Sequence, residues 1–257
     1  MTGWTRQSGF SMRIIPLASS SKGNAYVVEQ GDTALLVDCG LGIRALKAAY
    51  DVSRFCGVVI THNHIDHVSA LKSLLRAVDV PVFANAMTAE AVAADQKIDD
   101  RLFVCFENGQ SFDVGPFNVL PFSIPHDAAD PVGYLIRGDE TYFHGTDIGT
   151  PLDSIGAYLA EADCATLESN HDPVMLRTSG RPPSLIQRIA GPRGHLSNEQ
   201  SCDLVRRYAS PRLKRLGLAH LSHDCNTPAL ARDTMRATLV AMKRTDVEVS
   251  VCPVNMV

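Results

Sequence analysis

Short apolar runs alternate with amphipathic helical patterns along most of the chain. About a dozen runs rich in β-branched or apolar residues predict strands, because turn-forming residues separate them. The predicted strands cover residues 12–17, 25–29, 34–38, 57–61, 81–84, 102–106, 117–122, 132–137, 140–146, 165–168, 215–219 and 247–251.

Seven segments carry a helical pattern, and several begin with Ser, Thr or Asn in a capping position. They cover residues 42–50, 67–78, 88–95, 154–161, 184–190, 198–210 and 227–243. No long Pro/Gly/Ser-rich linker and no internal repeat interrupts this alternation. We therefore predict one α/β domain over residues 12–257, preceded by a disordered extension at 1–11.

The composition of the 257 residues, 45% hydrophobic and 20% charged, is that of an ordinary folded protein. It excludes disordered, collagen-like and coiled-coil classes. No apolar run approaches the ~18 residues of a membrane-spanning helix, so we expect no membrane association. Seven cysteines without a C-x-x-C pair, and no secretory signal in residues 1–11, indicate reduced thiols and a cytoplasmic protein. Cys39 alone draws attention, because it follows Asp38.

Positive charge is concentrated in one part of a chain whose formal net charge is −4. Residues 173–215 hold nine basic side chains and two acidic ones. Arginine matches phosphate oxygens well, so this basic block could steer an anionic partner. The alternative is that its arginines are solvated charges on helix surfaces.

A cluster of metal-ligand side chains follows the predicted strand at 57–61. In the segment Thr61-His62-Asn63-His64-Ile65-Asp66-His67, extended geometry points His62 and His64 the same way. The following helical turn presents Asp66 and His67. Imidazole and carboxylate ligands suit zinc, manganese or iron without a thiolate. The cluster therefore predicts a metal site, and the sequence does not choose among these metals.

This H-x-H-x-D-H pattern resembles the metallo-β-lactamase superfamily. Asp38, His126, Asp147 and His220 resemble its further motifs, since they stand in the right order at predicted strand ends. The resemblance implies an αββα four-layer sandwich of two mixed β-sheets flanked by helices, with two divalent metal ions. It assigns one metal to His62, His64 and His126, the other to Asp66, His67 and His220, and a bridging position to Asp147.

Two other histidines compete for ligand positions. His144 lies three residues before Asp147 on one predicted strand, so alternation puts it on the opposite face and we leave it out. His220 closes the strand at 215–219, which favours it as the last ligand. His223 remains the alternative.

Five further segments resemble the YycJ (WalJ) group of the superfamily: residues 19–24, 126–134, 168–172, 194–198 and 220–222. That group resembles the ribonuclease Z branch and is associated with 5′-to-3′ exonuclease action on DNA. Two departures affect loops: Ala18 stands where glycine is expected, and residues 223–226 replace an asparagine-rich stretch. The resemblance implies DNA ends as the partner.

The resemblance also suggests roles near the metals. His195 matches a histidine that approaches the scissile phosphate without binding metal, a position from which it can donate a proton. Asp66 would orient the nucleophile while ligating, and Asp38 would accept a ring N–H from a ligating histidine. Candidate substrate contacts are Asn170, His171, Arg193 and Ser197.

The expected function is therefore two-metal phosphodiester hydrolysis, as a 5′-to-3′ exonuclease on DNA, with a metal-bridging hydroxide as nucleophile. Two alternatives stay open. The first is a small-molecule metallo-hydrolase acting on a cyclic phosphodiester, lactone or thioester, of which an uncharged lactone would not need the basic block. The second is a module that binds nucleic-acid ends without hydrolysis.

Overall fold

A computed structural model describes residues 12–253 of the chain. The extension expected at residues 1–11 lies outside the described residues. The first half of the described chain forms a six-stranded sheet in the order β1-β2-β3-β4-β5-β6. Its pairs are antiparallel up to β3 and parallel from β3 onward. The strands are β1 (Met12–Ser20), β2 (Gly23–Gln30), β3 (Thr33–Val37), β4 (Phe55–Val59), β5 (Val82–Asn85) and β6 (Phe103–Phe106).

The second half forms a seven-stranded sheet in the order β13-β12-β11-β10-β9-β8-β7. The pairs from β10 to β13 are parallel and those from β7 to β10 are antiparallel. The strands are β7 (Phe112–Val114), β8 (Phe117–Ser123), β9 (Val132–Arg137), β10 (Thr141–Gly145), β11 (Cys164–Glu168), β12 (Arg215–Ala219) and β13 (Glu248–Val251).

Helices lie between the strands in chain order. They are α1 (Ile43–Ala49), α2 (Ile65–Val68), α3 (Leu71–Leu75), α4 (Ala86–Gln96), α5 (Asp153–Leu159), α6 (Pro173–Thr178), α7 (Pro183–Ile189), α8 (Asn198–Tyr208) and α9 (Pro228–Ala241). Among the described residues, no helix is both long and apolar enough to cross a membrane.

Three apolar layers hold the sheets and helices together, because successive strand residues point to opposite faces. In β2, Tyr26 and Val28 join the layer between the two sheets, whereas Ala25 and Val27 pack toward the helices on the outer face. A third layer joins the seven-stranded sheet to α5, α8 and α9. Helix, sheet, sheet and helix thus form four layers, which confirms the predicted αββα sandwich.

The predicted elements differ from the structure in three places. The single helix predicted at 67–78 is two short helices, α2 and α3, because tertiary hydrogen bonds interrupt it. Ala70 N donates to Cys39 O at 2.9 Å and Ser69 Oγ donates to Gly40 O at 2.9 Å. Strand β7 and helix α6 were not predicted, since neither presents a run long enough to show a period.

Candidate metal centre

Chain segments that leave the ends of several strands form one cluster of polar side chains. Asp38 follows β3, His220 follows β12, and Glu168 is the last residue of β11. Asp147 lies two residues past β10. Carboxyl ends of parallel strands meet at one edge of a sheet, which is where α/β proteins place their sites.

The side chain of Asp38 fixes the segment after β4, which carries four of the candidate ligands. Its carboxylate accepts hydrogen bonds from Thr61 N at 2.9 Å and from His67 Nδ1 at 2.7 Å. Cys39 N donates to His67 O at 2.7 Å, so backbone and side chain both hold this turn. Asp38 therefore occupies the position predicted for it, behind a candidate ligand and not among the ligands.

Each of the five candidate ligand histidines uses one ring nitrogen for a contact with an oxygen atom. A ring nitrogen that donates to oxygen leaves the lone pair of the other nitrogen free for a metal. The contacts are His62 Nδ1 with Thr61 Oγ1 at 3.0 Å, His64 Nε2 with Asp127 O at 3.3 Å, His67 Nδ1 with Asp38, His126 Nδ1 with Gly194 O at 3.1 Å, and His220 Nδ1 with Glu168 Oε1 at 3.0 Å.

The structure brings all seven predicted metal ligands together. Potential ligand atoms of His62, His64 and His126 lie within 4.8 Å of one another, and so do those of Asp66, His67 and His220. Asp147 lies between the two groups: its carboxylate is 3.2 Å from His67 Nε2 and 3.8 Å from His126 Nε2. These groupings match the two ligand sets that the resemblance implied.

Two buried ring nitrogens show that these residues fit divalent metal ions. Within residues 12–253, His62 Nε2 and His220 Nε2 are inaccessible to solvent and have no hydrogen-bond partner. A buried polar atom without a partner costs about 1–3 kcal/mol, so such atoms call for an occupant. Burial also lowers the pKa of His62 and of His126, which keeps both rings neutral as metal binding requires.

Three candidate site residues adopt left-handed backbone conformations. Their φ angles are 60° at Asp38, 58° at Asp147 and 55° at His220. A residue with a β-carbon pays about 1 kcal/mol or more for this conformation. The conformation turns the chain sharply where it leaves the sheet; among the described non-glycine residues, Lys97, Asp130 and Lys243 also adopt it, away from the candidate ligands.

Glu168 is the residue that the sequence interpretation missed. It is fully buried, and Oε1 accepts from both His195 Nδ1 at 2.9 Å and His220 Nδ1 at 3.0 Å. Oε2 accepts from Ile148 N at 2.8 Å and Leu196 N at 3.0 Å. The available signal was a carboxylate at the end of a fully buried parallel strand.

Glu168 and His195 shift each other's pKa values in opposite directions. Burial opposes the charge on Glu168, but His195 and the hydrogen bonds to it outweigh burial and lower the pKa of Glu168 to about 2. Burial likewise opposes protonation of His195, yet the carboxylate of Glu168 outweighs it and raises the pKa of His195 to about 9. The pair is therefore a carboxylate and an imidazolium at neutral pH.

The four predicted substrate contacts have different surroundings. Asn170 lines a cavity beside the metal centre and donates to His220 O at 2.7 Å. His171 is 2% exposed and outside the lining of that cavity. Arg193 Nε donates to His126 O at 3.0 Å, and Ser197 Oγ caps α8 by accepting from Gln200 N. The side chains of His171 and Ser197 are thus committed to the interior, and we carry neither forward as a substrate contact.

The structure also distinguishes between the histidines that compete for ligand positions. His144 is buried with its Nδ1 3.0 Å from Tyr142 Oη, and it belongs to none of the ligand groups of the described residues. His223 is exposed and contacts Asp224, so His220 is the histidine within the cluster. Cys39 is buried. Burial, with a smaller contribution from the negative charge of Asp38, raises the pKa of its thiol to about 12, so the thiol stays protonated and unreactive.

The basic block is not a patch of free positive charge. Seven of its nine basic side chains are ion-paired, mostly with acids from outside the block, such as Arg188 with Asp127 at 2.7 Å. The other pairs are Arg181–Asp224, Arg206–Asp203, Arg207–Asp153, Arg212–Asp163, Lys214–Asp246 and Arg215–Glu140. Of the two interpretations of residues 173–215, the ion pairs favour surface charges over a steering patch, because acids distant in sequence offset most of the positive charge.

Gly40 allows the segment after β3 to touch the metal-ligand turn. A β-carbon at residue 40 would lie 1.6 Å from Asp66 O and 2.7 Å from Asn24 N, both rigid backbone atoms. We expect Gly40→Ala to lower the free energy of unfolding by about 3 kcal/mol or more and to weaken metal binding. Urea unfolding and metal content of the purified variant test this. Gly42→Ala is the matched control, since nothing lies within 4 Å of its β-carbon; equal stability of the two variants would contradict the expectation.

Comparison with known proteins places the chain in a family. Residues 33–220 match the model of the beta-lactamase superfamily domain. The exodeoxyribonuclease WalJ of Streptococcus pneumoniae is 33% identical over 236 residues, covering 88% of this chain and 87% of that protein. The exodeoxyribonuclease YycJ of Bacillus anthracis is also 33% identical over 236 residues, covering 87% of each.

A solved structure agrees on the fold. The metallo-beta-lactamase fold protein YhfI from Bacillus subtilis superposes with a TM-score of 0.73 at 18% identity, covering 95% of this chain and 97% of that chain. The resemblance drawn from the H-x-H-x-D-H pattern and the subgroup segments is thereby confirmed. The chain belongs to the beta-lactamase superfamily and is one of its metallo-β-lactamase-fold hydrolases.

Proposed function

We propose that the protein is a two-metal phosphodiester hydrolase that acts on DNA ends as a 5′-to-3′ exonuclease, and that residues 12–257 form its single catalytic domain. The observation that carries this proposal is the meeting of seven metal-ligand side chains with a histidine that a buried glutamate holds beside them. The exodeoxyribonuclease relatives support nucleic acid as the substrate, since they match along nearly the whole chain.

The metal ions, zinc or manganese with iron as a further candidate, would lower the pKa of a bound water toward ~7 and neutralise charge on the attacked phosphate. The protein's part is to hold the ligands rigidly. Asp38 fixes the ring of His67, and Glu168 fixes the ring of His220. Asp66 lies 3.6 Å from His67 Nε2 and 3.9 Å from His220 Nε2, and we propose that it orients the attacking water.

His195 is the proposed proton donor. Glu168 occupies its Nδ1, which leaves Nε2 to face the cavity that His195 and His220 both line. A protonated ring in that position can donate to a phosphoryl oxygen and then to the leaving oxygen. The proton would return to His195 from solvent, since its side chain is 21% exposed.

We expect His195→Ala to lower turnover about 10²- to 10³-fold while leaving metal content near that of the wild type, because the lost group is a donor and not a ligand. Steady-state kinetics and mass-spectrometric metal analysis of the same preparation check both parts. Loss of a metal ion in this variant would mean that His195 is a ligand.

The proposed function is tested by nucleotide release from 5′-labelled single-stranded DNA, double-stranded DNA and matching RNA. The purified protein is reloaded separately with manganese and zinc, and bis-p-nitrophenyl phosphate serves as a small substrate. Metal-dependent mononucleotide release from DNA that vanishes in His64→Ala is the expected result. Endonucleolytic fragments or cleavage of RNA alone would contradict it.

A second candidate is a small-molecule metallo-hydrolase. The ion pairs that offset the basic block favour this candidate. Positive charge in that block was the feature that distinguished a nucleic-acid substrate from an uncharged small molecule. A cavity of about 420 Å³ beside His195 and His220 has the size of a small-molecule site. Hydrolysis of bis-p-nitrophenyl phosphate with no cleavage of any polymer would support this candidate. The binding module without hydrolysis would instead retain DNA binding after chelation and release no nucleotides.

A further inference from the structure

One positive charge that faces the candidate site, in addition to the His195 imidazolium, comes from outside the basic block. The cavity of about 420 Å³ is lined on one side by His195 and His220, and elsewhere by the turn between β1 and β2 and by the segment after His220. Arg181 lines it too, but Asp224 holds that guanidinium at 3.0 Å and also contacts His223. The positive charge of Arg181 is therefore offset within the cavity wall.

Lys22 is the exception among the cations of this cavity. Its ammonium group makes no hydrogen bond or ion pair with any residue in 12–253, and the hydrogen bond of Lys22 to Ser20 Oγ at 3.2 Å comes from its backbone N. The hydroxyl-bearing residues Ser21 and Ser222 line the same cavity. An unpaired ammonium with hydroxyls nearby is the chemistry that binds a phosphate group.

The turn that carries Lys22 is held at a fixed place relative to the metal centre. Ser21 and Lys22 form the two-residue turn between the paired residues Ser20 and Gly23. The fully buried Asn24 donates from Nδ2 to Ser20 O at 3.0 Å and to Asp66 Oδ2 at 3.1 Å. Gly40 N donates to Asn24 O at 2.8 Å. The hairpin turn and the candidate ligand Asp66 therefore belong to one bonded unit.

We propose that Lys22 binds a phosphate group of the nucleic-acid substrate next to the one that is cleaved, so that the cavity seats the nucleotide between them. This inference rests on the proposed function. The site is a phosphate subsite, and its occupant is either the terminal monophosphate of the strand or an internal phosphodiester. Lys22 acts in it as a substrate-binding residue, apart from the metal ligands.

The test compares Lys22→Gln with Lys243→Gln in the metal-loaded protein. Lys243 is the matched control, because it is an exposed lysine whose side chain makes no hydrogen bond or ion pair with residues 12–253 and does not line the cavity. The substrates are DNA with a 5′-phosphate, the same DNA with a 5′-hydroxyl, and bis-p-nitrophenyl phosphate. The measurements are kcat and KM for each substrate, and DNA affinity across salt concentrations in His195→Ala backgrounds, whose slow turnover keeps the DNA largely intact during binding.

For Lys22→Gln we expect KM for DNA to rise about 5- to 10-fold with kcat within twofold, and bis-p-nitrophenyl phosphate hydrolysis to stay unchanged. The slope of log affinity against log salt should shrink by about 0.7 to 0.9, the contribution of one phosphate contact. A KM effect limited to the 5′-phosphorylated DNA assigns the site to the terminal phosphate, whereas an equal effect on both DNAs assigns it to an internal one.

Three results would overturn the inference. If Lys22→Gln and Lys243→Gln match the wild type in KM and salt slope while the wild type cleaves DNA, Lys22 binds no phosphate and the proposed function stands. If Lys22→Gln also slows bis-p-nitrophenyl phosphate hydrolysis, Lys22 acts on the metal centre. If the wild type hydrolyses only the small substrate, the proposed nucleic-acid function fails, and the subsite fails with it.

Discussion

Replacing Asp147 with alanine is expected to abolish hydrolysis, with turnover lower by about 10³-fold or more, while the fold is retained. The carboxylate lies between the two groups of candidate ligands and contacts the rings of His67, His126, His195 and His220. Its loss would remove the side chain that we propose as the bridge between two metal ions, and each ~1.4 kcal/mol of lost transition-state stabilisation costs a factor of ten in rate. The activation barrier rises by several kcal/mol when metal ions no longer activate the attacking water.

The expected result can be separated from unfolding. The side-chain contacts of Asp147 within residues 12–253 are with histidine rings, so no backbone hydrogen bond is lost. Circular dichroism should therefore stay near wild type, and urea unfolding is compared between the two metal-free proteins, because bound metal itself stabilises the folded state. Metal analysis of the loaded variant should show fewer than two ions per chain. His64→Ala should behave in the same way, and the exposed Asp139→Ala is the control with full activity. Wild-type turnover in Asp147→Ala or in His64→Ala would disprove the two-metal assignment.

Glu168→Gln is expected to have the second largest effect, although the change replaces one oxygen by an amide nitrogen. Four donors surround the carboxylate: His195 Nδ1, His220 Nδ1, Ile148 N and Leu196 N. A glutamine has only one acceptor atom, so its NH₂ group must face two of these donors. If the glutamine oxygen accepts the hydrogen bonds from Ile148 N and Leu196 N, its NH₂ group faces the two histidines. Both histidine rings must then accept a hydrogen bond at Nδ1.

That reversal moves the proton of His220 to Nε2, the nitrogen whose lone pair a metal would use. Metal affinity at Asp66, His67 and His220 should fall about 10- to 100-fold, the range for lost outer hydrogen bonds to ligands. His195 would lose its protonated form as well, so turnover should fall about 10³-fold or more; a wrong histidine tautomer costs about 10⁴-fold in a Ser-His-Asp triad.

Calorimetric metal titration and ¹⁵N NMR of the histidine rings measure the two effects separately. Glu161→Gln, an exposed glutamate paired with Arg137, is the matched control and should be silent. Two metal ions bound at wild-type affinity, together with turnover within tenfold of wild type, would contradict the assignment of Glu168 as the residue that sets both tautomers.

The local features of the candidate site follow from the sequence because they are short in range. The H-x-H-x-D-H pattern places four ligand-type side chains within residues 62–67. The remaining candidates lie at the ends of predicted strands. Alternation of apolar residues likewise predicts most strands and one α/β domain, since each face of a strand must be buried against something; the four-layer fold was implied by the resemblance to the superfamily.

Long-range pairing was not predictable in the same way. The sequence interpretation placed a basic patch at 173–215, but Asp127, Asp153 and Asp163 come from distant segments to neutralise Arg188, Arg207 and Arg212. Charge counted along a chain says nothing about which acids fold against it. Ser197 was similarly taken for a substrate contact, whereas the fold uses its hydroxyl as a helix cap.

The sequence by itself thus indicated an α/β domain and the ligand cluster at residues 62–67, because these depend on residue type and on periods of a few residues. The resemblance of its motifs to the superfamily implied the four-layer fold and the full set of seven candidate ligands. Only the tertiary structure decided that Glu168 serves both His195 and His220, that Asn24 ties Asp66 to the hairpin turn, and that Lys22 faces the cavity unpaired. The physical reason is that hydrogen bonds and ion pairs act over about 3–4 Å in space, and the chain path alone sets which residues come that close.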